Sequence, residues 1–189
     1  MKLKCFITVP LLTAMLLVGC QTTDFSSGAS GNTNAQKIDS EVSQALNKLY
    51  ADNASARSLA RNAKAILVFP NIVKGGFMFG GQFGRGALRK GGRTAGYYNS
   101  VAASYGLQAG VQTFGYALFF MSNSALDYLD RSEGWEIGVG PSIVIVDAGM
   151  AKSLTTTTAK ADVYAFIFDQ KGLMAGIGLQ GSKITRINP

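Results

Sequence analysis

Apolar residues first recur at helical spacing. Ile38, Val42, Leu46 and Leu49 fall on one face, while Lys37, Ser40, Glu41, Gln44 and Lys48 lie mostly elsewhere. This pattern predicts a helix over about Ala35–Tyr50 with Asn34 as its N-cap. A second short helix is expected over about Ala54–Ala63, started by Asn53, with Arg57 and Arg61 on one face by their i, i+4 spacing. After Lys64 the pattern turns to strand. Ala65-Ile66-Leu67-Val68-Phe69 reads as a short buried strand ended by Pro70. From Gly75 to Leu88 two faces separate: Phe77, Phe79 and Phe83 alternate with Gly76, Gly80, Gln82, Gly84 and Gly86. Glycines along one face of a strand indicate sharp curvature or the close approach of another backbone.

Alternation returns at Leu107, Ala109 and Val111, before an apolar stretch from Phe114 to Met121, and again from Leu173 to Gln180. Between Phe168 and Leu173, Asp169-Gln170-Lys171-Gly172 reads as a hairpin loop with glycine in the left-handed position. Ser122 or Asn123 would cap a short helix through Ala125, Leu126, Tyr128 and Leu129. The expected class is α+β: N-terminal helices, then a glycine-rich, mainly antiparallel sheet interrupted by one short helix. The glycine content is compatible with closure into a barrel-like sheet.

The N-terminus changes the picture. Met1-Lys2-Leu3-Lys4 is a short positive segment, and an apolar run from Cys5 to Val18 leads into Leu17-Val18-Gly19-Cys20. A charged foot, a short apolar run and small residues at a cut site make a signal peptide over residues 1–19. The run is short of the ~20 apolar residues of a spanning helix. Leu-Val-Gly-Cys resembles the bacterial lipobox, in which the cysteine thiol takes a diacylglyceryl group carrying acyl chains such as palmitate. Cys20 is therefore the expected lipidation site, and the lipid anchor the expected attachment. Residues 20–33 (CQTTDFSSGASGNT) are rich in Ser, Thr, Gly and Asn and are expected to be a flexible linker, about 20 Å in root-mean-square span. Residues 34–189 are expected to be one domain. Gln21 rather than Asp after the cysteine points to outer-membrane sorting on the periplasmic export route.

Charge adds the main chemical clue. The chain carries 18 Lys and Arg against 11 Asp and Glu, and loses only Lys2 and Lys4 with the signal peptide. It therefore stays basic, which favours an anionic partner: a membrane surface, nucleic acid or an acidic glycan; outside the cytoplasm a membrane is the expected one of the three. Between Asn53 and Leu126 there is no acidic residue, whereas Arg57, Arg61, Lys64, Lys74, Arg85, Arg89, Lys90 and Arg93 all fall there. Arg85, Arg89, Lys90 and Arg93 sit in a glycine-rich strand end and loop (RGALRKGGR). With Lys74 they are the candidate anionic-lipid-binding residues, because guanidinium groups offer paired donors to phosphate. The alternative is that they are solvated charges keeping strand edges soluble, or that Asp127, Asp130, Glu133, Glu136, Asp147, Asp162 and Asp169 fold back as partners.

Catalytic chemistry finds no foothold. There is no His, and no free Cys would remain after processing, so neither zinc nor a thiol nucleophile is expected. Ser-x-x-Lys is absent from the domain; Lys152-Ser153 is merely adjacent. The hydroxyl run Ser153–Thr158 reads as strand or loop, and Asp127 with Asp130 as a solvated helix face. The glycine run Gly80–Gly86 has neither the spacing nor the strand-to-helix context of a phosphate loop. No cofactor is expected.

Four segments in order resemble one family. They are Ala63-Lys64-Ala65-Ile66-Leu67-Val68-Phe69-Pro70, Val73-Lys74-Gly75-Gly76-Phe77, Tyr105-Gly106-Leu107-Gln108-Ala109-Gly110, and Gly172-Leu173-Met174-Ala175-Gly176-Ile177-Gly178-Leu179-Gln180-Gly181. The sequence from about Ile38 to Ile187 is similar to the SYLF lipid-binding domain, also known in fungal proteins as an actin-binding domain. The resemblance implies a non-enzymatic module for phosphoinositides or other anionic phospholipids. Actin is not an expected partner outside the cytoplasm. The SH3 or FYVE modules of eukaryotic members are missing, so their trafficking role does not transfer. Those members also lead with an amphipathic helix, and the corresponding Ile38–Leu49 region is only modestly basic. The competing expectation is a structural or interaction protein of the envelope with a protein or glycan partner.

Overall fold

The computed structural model describes residues 27–131, 135–136, 140–146 and 161–189. Cys20, the signal peptide, Glu133, Asp147 and the Lys152–Thr158 run lie outside the described residues. Helix α1 (Ser27–Asp52) and helix α2 (Ala54–Ala60) precede strand β1 (Ala65–Lys90) and strand β2 (Arg93–Phe120). Helix α3 (Asn123–Arg131), strand β3 (Trp135–Glu136), strand β4 (Ile143–Val146) and strand β5 (Val163–Ile187) follow. One sheet of order β1-β2-β5-β3 results, antiparallel throughout except that β4 runs parallel to β5. It is curled into a half-barrel, in line with the expected α+β class.

Several local expectations are met. Asn53 caps α2, its side chain accepting from the Ala56 N–H at 2.9 Å. Ser122 caps α3 by accepting from the Ala125 N–H at 3.2 Å. Ile38, Val42 and Leu49 are buried along one side of α1, and Leu46 packs beside them.

Others are corrected. Asn34 is not an N-cap: α1 begins at Ser27, inside the stretch expected to be linker, because adding turns to a helix already anchored at Ile38–Leu49 costs little. Pro70 does not end a strand. β1 runs through it, and the pairing register shifts between Phe69 and Ile72, a bulge on an edge strand where a missing N–H breaks no ladder. Asp169-Gln170-Lys171-Gly172 is not a hairpin loop. Thr113 pairs with Lys171 and Gly115 with Phe168, so β5 carries one surplus residue here and continues in the same direction. Positive φ at Asp169 (51°) and Gly172 (88°) serves this bulge instead of a turn. The segments 107–112 and 114–121 likewise belong to one strand up to Phe120.

Each sheet face has its own core. Inner-facing Leu67, Phe69, Ile72, Leu88, Leu118, Phe120 and Ile184 pack with Leu126 and Leu129 of α3 and with Trp135. Outer-facing Ile66, Val68, Ala87, Ala117, Phe119, Tyr164 and Phe166 pack under α1 and α2. Burying each large apolar side chain contributes about 1.5–3 kcal/mol. The curl is severe. Gly86 lies so close to Val68 of its own strand that a Cβ would overlap the Val68 carbonyl oxygen, although a straight run between them would span roughly 60 Å. The strand turns its corner at Met78 (φ 60°), where β2 holds extra residues between Tyr105 and Ala109.

Candidate functional site

Strands β1 and β2 join through Gly91 and Gly92, with Lys90 paired to Arg93. Both glycines have positive φ (57° and 79°), the geometry of a two-residue turn that matches strand twist. Because β1 has curled back, this turn arrives beside the start of its own strand and the two N-terminal helices.

Between them lies a groove of about 490 Å³, a size typical of small-ligand sites. Leu46, Tyr50 and Ile66 supply its apolar lining, and Arg61, Lys64 and Arg89 its charge, with the turn glycines at one wall. Burial pushes the Tyr50 phenol above its ordinary pKa, so it stays a neutral O–H donor. Among the described residues Arg61 and Lys64 have no carboxylate within ion-pair distance; the Arg61 guanidinium donates only a long hydrogen bond to Ser58 Oγ, 3.4 Å. Cations over an apolar floor, with water-facing backbone at the rim, can hold a phosphate attached to something greasy.

The five candidate residues divide. Arg89 is spoken for: its side chain is 17% exposed, sits 3.6 Å from Asp39 Oδ1, and donates to the Asp39 carbonyl at 2.9 Å and to Ser43 Oγ at 3.0 Å. It fastens α1 to the hairpin and lends the groove field rather than a free donor. Lys90 and Arg93 flank the turn and are exposed. Arg85 stands on the outer face of β1, its guanidinium 5.8 Å from the centre of the Phe83 ring. Lys74 belongs to the far arm near the corner, opposite Gln112. The structure thus gathers Arg89, Lys90 and Arg93 near the helices and leaves Arg85 and Lys74 apart from them.

Sequence reasoning missed two things here. Arg61 and Lys64, noted only as part of the acid-free stretch, line the groove itself. Asp39, absent from the list of acids that could fold back, is the hub: it also accepts from Thr94 Oγ1 at 2.6 Å and from the Tyr97 hydroxyl at 3.0 Å. Its i, i+4 relation to Ser43 on one side of α1 was the available signal. The acids that were considered go elsewhere. Asp127 pairs with Arg131 at 3.7 Å, Asp130 accepts from the Tyr98 hydroxyl at 3.4 Å, and Asp169 pairs with Lys48 at 2.5 Å. Asp162 accepts from both Ser122 and Ser142, which holds its carboxyl below the usual range. Among the described residues no group of three or more His, Cys, Asp or Glu could hold a metal, and no helix is long and apolar enough to cross a membrane.

Residues 101–188 match the family Ysc84, described as Las17-binding protein actin regulator. These residues thus match the SYLF domain family. No curated protein sequence matches the chain significantly. SYLF domains are binding modules, not enzymes; the family is lipid-binding, with actin binding in fungi. The match covers most of β2 and all of α3, β3, β4 and β5, a narrower extent than the 38–187 region carrying the four motifs. The groove and all five candidate cations fall N-terminal to it, so the SYLF match does not assign them.

Proposed function

We propose that this chain is a lipid-anchored protein of the bacterial envelope, attached through Cys20 to the outer membrane, whose domain binds the headgroups of anionic phospholipids. The observation that carries the headgroup reading is the groove between α1, α2 and the Gly91–Gly92 turn, where Arg61 and Lys64 stand over an apolar lining. Lys90 and Arg93 beside the turn extend the positive field toward a surface. Each basic residue near an anionic membrane adds about 1 kcal/mol. Family-level lipid binding supports the same reading. The anchor rests on Leu17-Val18-Gly19-Cys20 and the apolar run before it, and the sorting on Gln21.

Two measurements test it. Residues 21–189 are expected to bind phosphatidylglycerol vesicles, to ignore phosphatidylcholine vesicles, and to be released by salt, since screening shortens the field to about 8 Å at physiological ionic strength. Arg61→Ala with Lys64→Ala should weaken that binding without unfolding the domain. Indifference to anionic vesicles at low salt would replace the headgroup reading with that of an envelope protein binding a protein or glycan. Mass spectrometry of the mature N-terminus is expected to show acylated Cys20 in the outer-membrane fraction; an unmodified Cys20 removes the anchor.

A further inference from the structure

The outer face of the sheet continues well past α1. Beyond the cover of the helix it presents Val73, Phe77, Phe79, Phe83, Val101, Tyr105, Val111 and Leu173, all exposed. Phe77 is 75% exposed, Phe79 70% and Leu173 88%. These are not scattered single residues. Val111 pairs with Leu173, Phe79 with Tyr105 and Phe83 with Val101 across neighbouring strands, and the Phe79 and Tyr105 rings lie 4.9 Å apart. The glycines that alternate with the phenylalanines take the inner side, where Gly84 and Gly86 pack against Ile72 and Val68. The sheet here is inverted relative to a water-soluble one, with small residues within and aromatic ones outside. A contiguous apolar surface of this kind marks a binding face.

Its rim indicates what it meets. Arg85 follows Phe83 on the outer face, Lys183 is the register partner of Val101, and Lys171 lies two residues before Leu173. Among the described residues the acids at the rim are Glu136, opposite Lys183, and Asp169, already held by Lys48 and Lys171. Within β1 and β2 there is no carboxylate at all. Aromatic and aliphatic side chains surrounded by long cationic ones match the boundary between acyl chains and anionic headgroups, where Lys and Arg keep their stems in the apolar layer and their charges at the phosphates.

We infer that the uncovered outer face at the corner of β1 and β2, centred on Phe77, Phe79, Tyr105 and Leu173, inserts into the headgroup–acyl boundary of an anionic bilayer. This rests on the membrane reading above and adds the surface and the depth of contact. The domain lies on the bilayer by its sheet rather than by an amphipathic helix, because α1 spends its apolar side on the base of the same face.

The test uses residues 21–189, the mature chain without the Cys20 acyl groups that would float it by themselves, mixed with vesicles of phosphatidylglycerol and brominated phosphatidylcholine. Phe77→Trp reports from the face, Gln36→Trp from the exposed side of α1, and the buried Trp135 is a constant background. The expected result is blue-shifted, bromine-quenched emission from position 77 and unquenched emission from position 36. A chain that floats with the vesicles but shows no quenching at 77 overturns insertion and leaves headgroup binding standing. A chain that does not float at all removes both. In parallel, Phe77→Ser with Phe79→Ser should lower vesicle partitioning at least about tenfold with an unchanged melting temperature. If that variant instead turns an oligomer into a monomer with partitioning unchanged, a second copy covers the face and the inference fails.

Discussion

The outer face of the sheet is one surface with two fates. At its base, Ile66, Val68, Ala87, Phe119 and Phe166 lie under α1 and α2 and are buried. Past the helix the same face carries Phe77, Phe79, Phe83, Val101 and Tyr105 and meets solvent. Both regions belong to the same antiparallel sheet, and the residue types are no more polar in the second. What differs is cover. Burial at the base reflects where α1 lies, and exposure at the corner reflects a sheet that outgrows its helix. An apolar residue in this sheet is therefore a statement about stability in one region and about binding in the other.

Removing the curl should break the comparison with the largest effect. Gly86→Val puts side-chain atoms where the Val68 backbone passes, and is expected to cost upwards of about 3 kcal/mol, read by urea denaturation. A near-neutral result would mean that the two arms of β1 do not pack together. Next, Leu49→Ala at the covered base should cost about 2–3 kcal/mol, whereas Phe77→Ala at the corner should fall within about ±0.5 kcal/mol. Equal losses at both would show that something in the folded chain covers the corner as well.

The hub that holds α1 in place offers a finer test. Asp39→Ala removes the carboxylate that Arg89, Thr94 and Tyr97 share, leaving Arg89 its bonds to the residue-39 carbonyl and to Ser43 Oγ. The group is partly exposed, so about 1 kcal/mol is expected, seen as a lower urea midpoint with an unchanged slope. The smallest effect concerns the bulge of β5. The Lys48 ammonium, helped by Lys171, holds the Asp169 carboxyl below its usual range. That contribution is present above the unfolded carboxylate value of about 3.9 and fades as pH falls through the lower folded value. Asp169→Asn should therefore reduce the melting temperature near neutrality and leave the chain less sensitive than wild type below about pH 4. Parallel acid profiles for the two proteins would discard the assignment.

Much of this was open to reading from residues alone, and the failures have physical causes. The Phe/Gly alternation from Gly75 to Leu88 revealed two faces and a close backbone approach, which Gly86 makes against Val68. Which face would meet water was not legible, because that depends on the reach of α1 and on the curl, both tertiary facts. Asp169 to Gly172 has the chemistry of a turn, and positive φ is indeed used there. The choice between turn and bulge was made by β2, whose partners continue on both sides. For the site, the acid-free stretch and its basic cluster could be seen. That Arg89 would be tied to Asp39 could not, since they lie 50 positions apart in sequence and only local pairs follow from spacing. Arg61 and Lys64 entered the groove for the same reason: the curl delivers a distant turn to them.

The two-residue turn at Gly91–Gly92 also sets an order of events in the making of the molecule. It joins strands of 26 and 28 residues, so each new rung between them closes almost no additional loop once the turn has formed. The pairing of β5 with β2 has to bridge residues 121–162 first, and its entropy of closure falls on the opening contact. Amide protection in pulse-labelled refolding should therefore rise across residues 65–120 before it reaches the β5 partners. During that interval the far edge of β2 waits unpaired, beside phenylalanines that α1 never covers, which makes refolding yield fall with protein concentration more steeply than the finished fold would suggest.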